Sequence, residues 1–177
     1  NATAFKGLVD NLSIWSGIIS GSSAAVSSSS SILIPDIQLA EALRAALNKS
    51  IQDDIIASDM ASLIYLDVVS ENIEDISGLE HAVNLIELRV SQNQISDLGP
   101  LEDLENLEVL YFYGNDVSDI SSLRNLTNLN FINAGNNQIS DISALEILTG
   151  LRTLWLNDNQ ISIISPLANL TNLDYLR

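Results

Sequence analysis

The sequence predicts a capped, right-handed α/β solenoid: short parallel strands on a concave face, 3₁₀ or irregular turns on the convex side, and a helical amino-terminal cap. The first observation behind this is a period. From Leu63 to Arg177 one 22-residue phrase is written five times, from Leu63, Leu85, Leu107, Leu129 and Leu151, and Leu173 opens a sixth. The second is the regularity of its apolar slots, at positions 1, 4, 6, 11, 14, 17 and 20. All 35 slots of the five copies are apolar, the smallest being Ala82 and Ala134. The third is a helix-spaced run just upstream, where a stack of turns needs a lid over its first core layer.

Residues 1–20 do not share the phrase. Leu12–Ser13–Ile14–Trp15 alternates as a strand does, and Phe5, Gly7, Val9, Asp10, Leu12, Ile14, Trp15 and Ser20 resemble the closing strand of a laminin-G-like, concanavalin-type domain. Asn11 and Ser13 stand where that family usually has Glu and Arg. The resemblance implies the last strand of an upstream sandwich; the alternative is an unrelated strand or linker. Residues 21–31 are Ser-rich, cannot bury apolar area, and read as a flexible linker.

Residues 32–62 read as the cap. Pro35–Asp36 suits the first turn of a helix. Ile37, Leu39, Ala40, Leu43, Ala46 and Leu47 follow at helical spacing, Asn48 or Ser50 ends the helix, and Ser58–Ala61 opens a shorter one. In residues 63–177, alternation over positions 3–7 predicts a strand with one buried face. Apolar residues three apart in the second half suit 3₁₀ turns. Position 9 is Asn in Asn93, Asn115, Asn137 and Asn159, an inward amide ladder able to satisfy backbone groups at the bend. The first copy has Glu71 there.

A fixed repeat of this kind is the leucine-rich repeat signature. Pro35, Asp36, Leu39, Ala42, Leu43, Ala46, Leu47, Asp59 and Leu63 resemble the helical cap of the internalin-like bacterial family. NQISDLGPLEDLENL, NQISDISALEILTGL and NQISIISPLANLTNL resemble its turns. The resemblance spans residues 32–177 and implies a bacterial secreted or surface protein that recognises a partner without catalysis.

Charge and composition narrow the functions. A formal net charge of −16, with seven Lys and Arg spread along the chain, argues against nucleic acid and anionic membrane surfaces. No apolar run approaches the ~20 residues of a membrane span, so membrane insertion is not expected. There is no cysteine, hence no disulfide or thiolate metal site. His81 is the lone histidine, at a solvated position 19, and no nucleophile–base set assembles around it. Neither enzyme activity nor a cofactor is expected. Asp75, Asp97, Asp119 and Asp141 share position 13; capping the following 3₁₀ turn is favoured over a calcium rail, and no metal is assigned. The chain starts on Asn and stops inside a copy, which reads as part of a longer protein.

Function then lies in the positions that the fold leaves free. On the strands, six of the nine aromatics take positions 3, 5 or 7. The candidate partner-binding residues are Tyr65, Arg89, Tyr111, Tyr113, Phe131, Asn133, Trp155, Asn157 and Tyr175. Asp67 and Arg89 share position 5 on the first two strands and can pair laterally, which at a surface is worth little. The partner is a protein or a cell-surface glycan. Two alternatives are a structural spacer and a targeting module for an enzyme domain elsewhere. The last turn, covered only by Leu173 and Leu176, is expected to fray or self-associate.

Overall fold

Six parallel strands lie in sequence order: β1 (Tyr65–Asp67), β2 (Glu87–Arg89), β3 (Val109–Tyr111), β4 (Phe131–Asn133), β5 (Thr153–Trp155) and β6 (Tyr175–Leu176). The computed structural model describes residues 30–177, so the strand-like stretch at residues 5–20 and most of the Ser-rich segment lie outside the described residues. Tyr65 stands opposite Glu87, Leu66 opposite Leu88 and Asp67 opposite Arg89, and every later pair keeps this one-copy offset. The strands are shorter than the alternation over positions 3–7 suggests. After two further rungs, Val68 N–H to Arg89 O at 2.8 Å and Ser70 N–H to Ser91 O at 3.0 Å, the chain turns away.

The turn has a fixed conformation. Position 8 is left-handed in all five copies: Ser70 (φ 62°), Gln92 (59°), Gly114 (69°), Asn136 (53°) and Asp158 (59°). Only one is Gly, so four copies hold a side chain in a conformation that L-residues adopt reluctantly. What holds them there is the ladder beyond the turn. The chain returns through the 3₁₀ helices η1 (Leu79–His81), η2 (Gly99–Leu101), η3 (Ser121–Leu123), η4 (Ser143–Ile147) and η5 (Ser165–Asn169). Pro100 and Pro166 sit in the first turn of η2 and η5, where a missing N–H leaves no bond unmade.

The core is one continuous column. All apolar slots of the first four copies are buried, and Phe112 is the largest of the fully buried side chains. Each layer is closed by the next turn. In the fifth copy Ile161 and Leu167 are half-covered and Ile164 is 68% exposed, because only the start of β6 follows.

The cap closes the other end. Helix α1 (Ile37–Ala46) turns Leu39, Ala40 and Leu43 inward, and the short α2 (Ala57–Met60) adds Met60. The longer helix ends slightly earlier than expected, at Ala46, with Leu47 as cap and left-handed Asn48 after it. Asp36 joins cap to array. Its Oδ1 accepts from Leu39 N–H at 2.9 Å, and its Oδ2 accepts from Glu74 N–H at 2.8 Å and Asp75 N–H at 3.2 Å. Desolvation alone would raise this carboxyl, but the backbone donors outweigh it and hold the pKa below its usual value.

Candidate functional site

Strand side chains at positions 3 and 5 point away from the core. The one-copy register therefore places Tyr65, Arg89, Tyr111, Phe131 and Trp155 along one connected row. The Tyr111 and Phe131 rings lie 4.5 Å apart, tilted by 34°. Phe131 meets Trp155 at 5.6 Å, near edge-on. Arg89 lies over Tyr111 at 4.8 Å and over Tyr65 at 5.7 Å, and Arg177 lies 5.7 Å from the Trp155 ring. Cation–ring contacts at these distances are attractive. Because their rings cover one another, Tyr111, Phe131 and Trp155 are half-buried rather than fully exposed; Tyr113 is half-buried as well. Tyr65 and Tyr175 are the exposed ones, and among the described residues Tyr175 pairs with no other ring.

The amino-terminal end of the row carries charge. The lateral Asp67–Arg89 pair that position 5 allows does not form. Arg89 Nε instead donates to Glu87 Oε1, two residues back on its own strand, at 2.6 Å. Asp67 is occupied by Tyr65, whose hydroxyl donates to Asp67 Oδ2 at 2.9 Å. Residues two apart on one strand share a face, so each long side chain reaches its own-strand neighbour first. Glu87 raises the Arg89 pKa further, and the Asp67 bond raises that of the Tyr65 phenol.

The carboxy-terminal end is concave and polar. Tyr113, Asn133, Trp155, Asn157, Asp158 and Arg177 line an open depression of about 550 Å³. Gly135 sits at position 7 beside it. A Cβ there would come within 2.9 Å of Asn157 Oδ1 and 3.1 Å of Tyr113 Cδ2, so these side chains occupy space that glycine leaves. Arg177 lines this depression without being among the sequence candidates, although its place at position 5 of the sixth copy is a usable signal.

Two amide ladders fix the strands that present these groups. Asn93, Asn115 and Asn137 are buried and Asn159 partly so. Asn115 Nδ2 donates to Val90 O and Phe112 O, both at 3.0 Å, and its Oδ1 accepts from Ile95 N–H at 3.0 Å. The other three repeat the pattern one turn along. A second ladder, unexpected from the sequence, runs at position 22. Asn84, Asn106, Asn128 and Asn172 each donate to a carbonyl 23 residues earlier, at 2.8–2.9 Å. On the convex side, Asp75, Asp97, Asp119 and Asp141 each accept from the amide two residues ahead at 2.7–2.8 Å. Among the described residues no group of three or more acidic or histidine side chains converges as a metal site. His81 stands on η1 with Nε2 3.8 Å from Glu80.

Known proteins share this architecture. The family model "Leucine Rich repeats (2 copies)" matches residues 83–117 and 105–147. An internalin, inlF of Listeria monocytogenes, is 40% identical with a TM-score of 0.76, over 81% of this chain and 43% of that one. The Leptospira interrogans leucine-rich repeat protein LIC12759 is 27% identical with a TM-score of 0.60, over 66% of this chain and 32% of that one. The functional domain of InlJ from Listeria monocytogenes, which includes a cysteine ladder, is 24% identical with a TM-score of 0.66, over 80% of this chain and 36% of that one, and shares the fold. The chain thus spans under half the length of these relatives. No curated protein matches it significantly. A 22-residue turn closed by a buried Asn, a helical lid over the first turn, and 40% identity to an internalin over four fifths of this chain place it among the internalin-like leucine-rich repeat proteins.

Proposed function

We propose that the array is a non-catalytic recognition module of a bacterial secreted or cell-surface protein, and that it docks a protein partner on the concave aromatic row. The observation that carries this is the connected series Arg89, Tyr111, Phe131, Trp155 and Arg177 on the open face of a rigid sheet. Aromatic and Arg side chains are the residues that most often dominate an interface. Here they already pack on one another, so docking sacrifices little side-chain freedom. Likeness to Listeria and Leptospira proteins supports the bacterial setting. Among the described residues no helix is long and apolar enough to cross a membrane.

The test is capture of an extracellular protein by the immobilised array, with Kd measured for wild type, Tyr111→Ala and Trp155→Ala. Each variant is first shown to be folded by circular dichroism. Binding at least tenfold weaker in both supports docking on the row. A spacer would hold its neighbours unchanged in both, and unchanged affinity would reject the reading.

A further inference from the structure

We propose that the depression at the β4–β6 end of the concave face is a subsite for one uncharged pyranose residue of a glycan. The inference rests on the recognition reading and adds the chemistry of one ligand group. Where the other copies carry Val69, Ser91, Tyr113 and Asn157, Gly135 lets the Tyr113 and Asn157 side chains close over its backbone and form adjoining walls of the depression. Its volume, about 550 Å³, falls within the roughly 300–1,000 Å³ of small-ligand sites.

The lining has two kinds of surface. Trp155 and Tyr113 offer ring faces and edges, which suit the C–H face of a sugar ring. Asn133, Asn157, Asp158 and Arg177 offer planar polar groups, which match pairs of neighbouring hydroxyls two bonds at a time. Most of that capacity is unspent. Asn157 Nδ2 donates to Asp158 Oδ2 at 2.7 Å, and Asn133 Oδ1 accepts from Gly135 N–H at 3.4 Å. Among the described residues the Asn133 amide nitrogen, the Asn157 amide oxygen and the Arg177 guanidinium make no side-chain hydrogen bond. An apolar ligand would leave these groups unmatched. The carboxylate of Asp158 and the guanidinium of Arg177 cancel in charge, so an anion meets Asp158 and a cation meets Arg177. A neutral polyol with one apolar face satisfies every part of the lining.

The experiment is saturation-transfer NMR on the whole chain with the methyl glycosides of glucose, galactose, mannose and N-acetylglucosamine, and with methyl glucuronide as the charged counterpart. At least one uncharged glycoside should receive saturation. Its signal should fall at least tenfold in Trp155→Ala, in Asn157→Ala and in Gly135→Val, whose side chain would displace the Asn157 and Tyr113 walls. Arg124→Ala, on the convex side, should leave it unchanged. If Gly135→Val does not fold, Asn157→Ala and Trp155→Ala carry the test. Silence from all four uncharged glycosides, preference for the glucuronide, or a signal surviving Asn157→Ala in folded protein overturns the proposal. Silent glycosides alongside Tyr111-dependent protein capture remove this subsite alone. Loss of both removes the recognition reading.

Discussion

Replacing Asn115 by Ala probes the joint on which the whole stack depends. The side chain makes three bonds in a buried setting, but their loss is unequal. Val90 O also accepts from Asn93 Nδ2, and Phe112 O also accepts from Asn137 Nδ2, so each carbonyl keeps one partner. Only the Ile95 N–H loses its sole acceptor, and Ile95 is fully buried. An orphaned buried donor costs about 1–3 kcal/mol. Two lost secondary bonds and a small void bring the expected total to about 2–4 kcal/mol. Urea unfolding followed by circular dichroism reads this as a lower midpoint at unchanged slope. Two controls set the scale. Asn159 is only partly buried and its released groups can reach water, so Asn159→Ala should cost about half as much. Asn106 donates one exposed bond, and Asn106→Ala should stay below about 1 kcal/mol. An Asn115→Ala cost under ~0.5 kcal/mol, or equal costs at Asn115 and Asn106, would refute the claim that burial rather than the bond itself sets the penalty.

Three more outcomes are expected. A double-mutant cycle on Tyr111 and Phe131 should return a coupling of about 0.5–1.5 kcal/mol, since their rings pack at 4.5 Å; zero coupling would mean that the rings move independently. The folded-state pKa of Asp36 is lowered, so its contribution is fully present above the unfolded carboxyl value of about 3.9 and is lost as pH falls through the lower folded value. Asp36→Asn should therefore flatten the acid limb of a plot of Tm against pH below about 4, and an unaltered limb would show that Asp36 does not tie cap to array. Gly150 holds the one position 22 slot of the first five copies without Asn, and a Cβ there would sit 3.4 Å from Thr127 O, close to ordinary contact. Gly150→Asn should supply the absent rung and raise stability by about 0.5–1.5 kcal/mol; a loss measured by urea unfolding would mean that the added side chain strains this turn instead of bonding to Thr127 O.

The core was legible because it obeys a period: each slot follows from its position, and Leu88 or Ile132 needs no further information. The same holds for the Asn at position 9, which is inward wherever it occurs. Left-handed position 8 was not legible, because Ser70, Gln92 and Asp158 carry no glycine signal and the conformation is imposed by the ladder on either side. Position 22 was legible in principle. Its Asn residues recur as regularly as those of the inner ladder, but they sit in a polar surface phrase where amides are common. The concave face was only half legible. Sequence position places Tyr111, Phe131 and Trp155 on one surface, yet whether their rings point outward or pack together depends on side-chain rotamers. Arg89 shows the same limit: its strand position allowed Asp67, and its reach favoured Glu87.

The inner amide ladder also governs how this molecule can change length. Its bonds join residues 20 and 25 apart across neighbouring turns, and the outer ladder joins residues 23 apart. All three separations are fixed offsets from one turn. Adding or deleting a single residue between positions 6 and 11 would place an amide opposite the wrong carbonyl and propagate the mismatch to both neighbours. Adding or deleting a complete turn changes none of these separations. The array is therefore editable in whole turns and intolerant of fractions of one. A lineage can lengthen or shorten its binding face by duplicating a turn without inventing a new core.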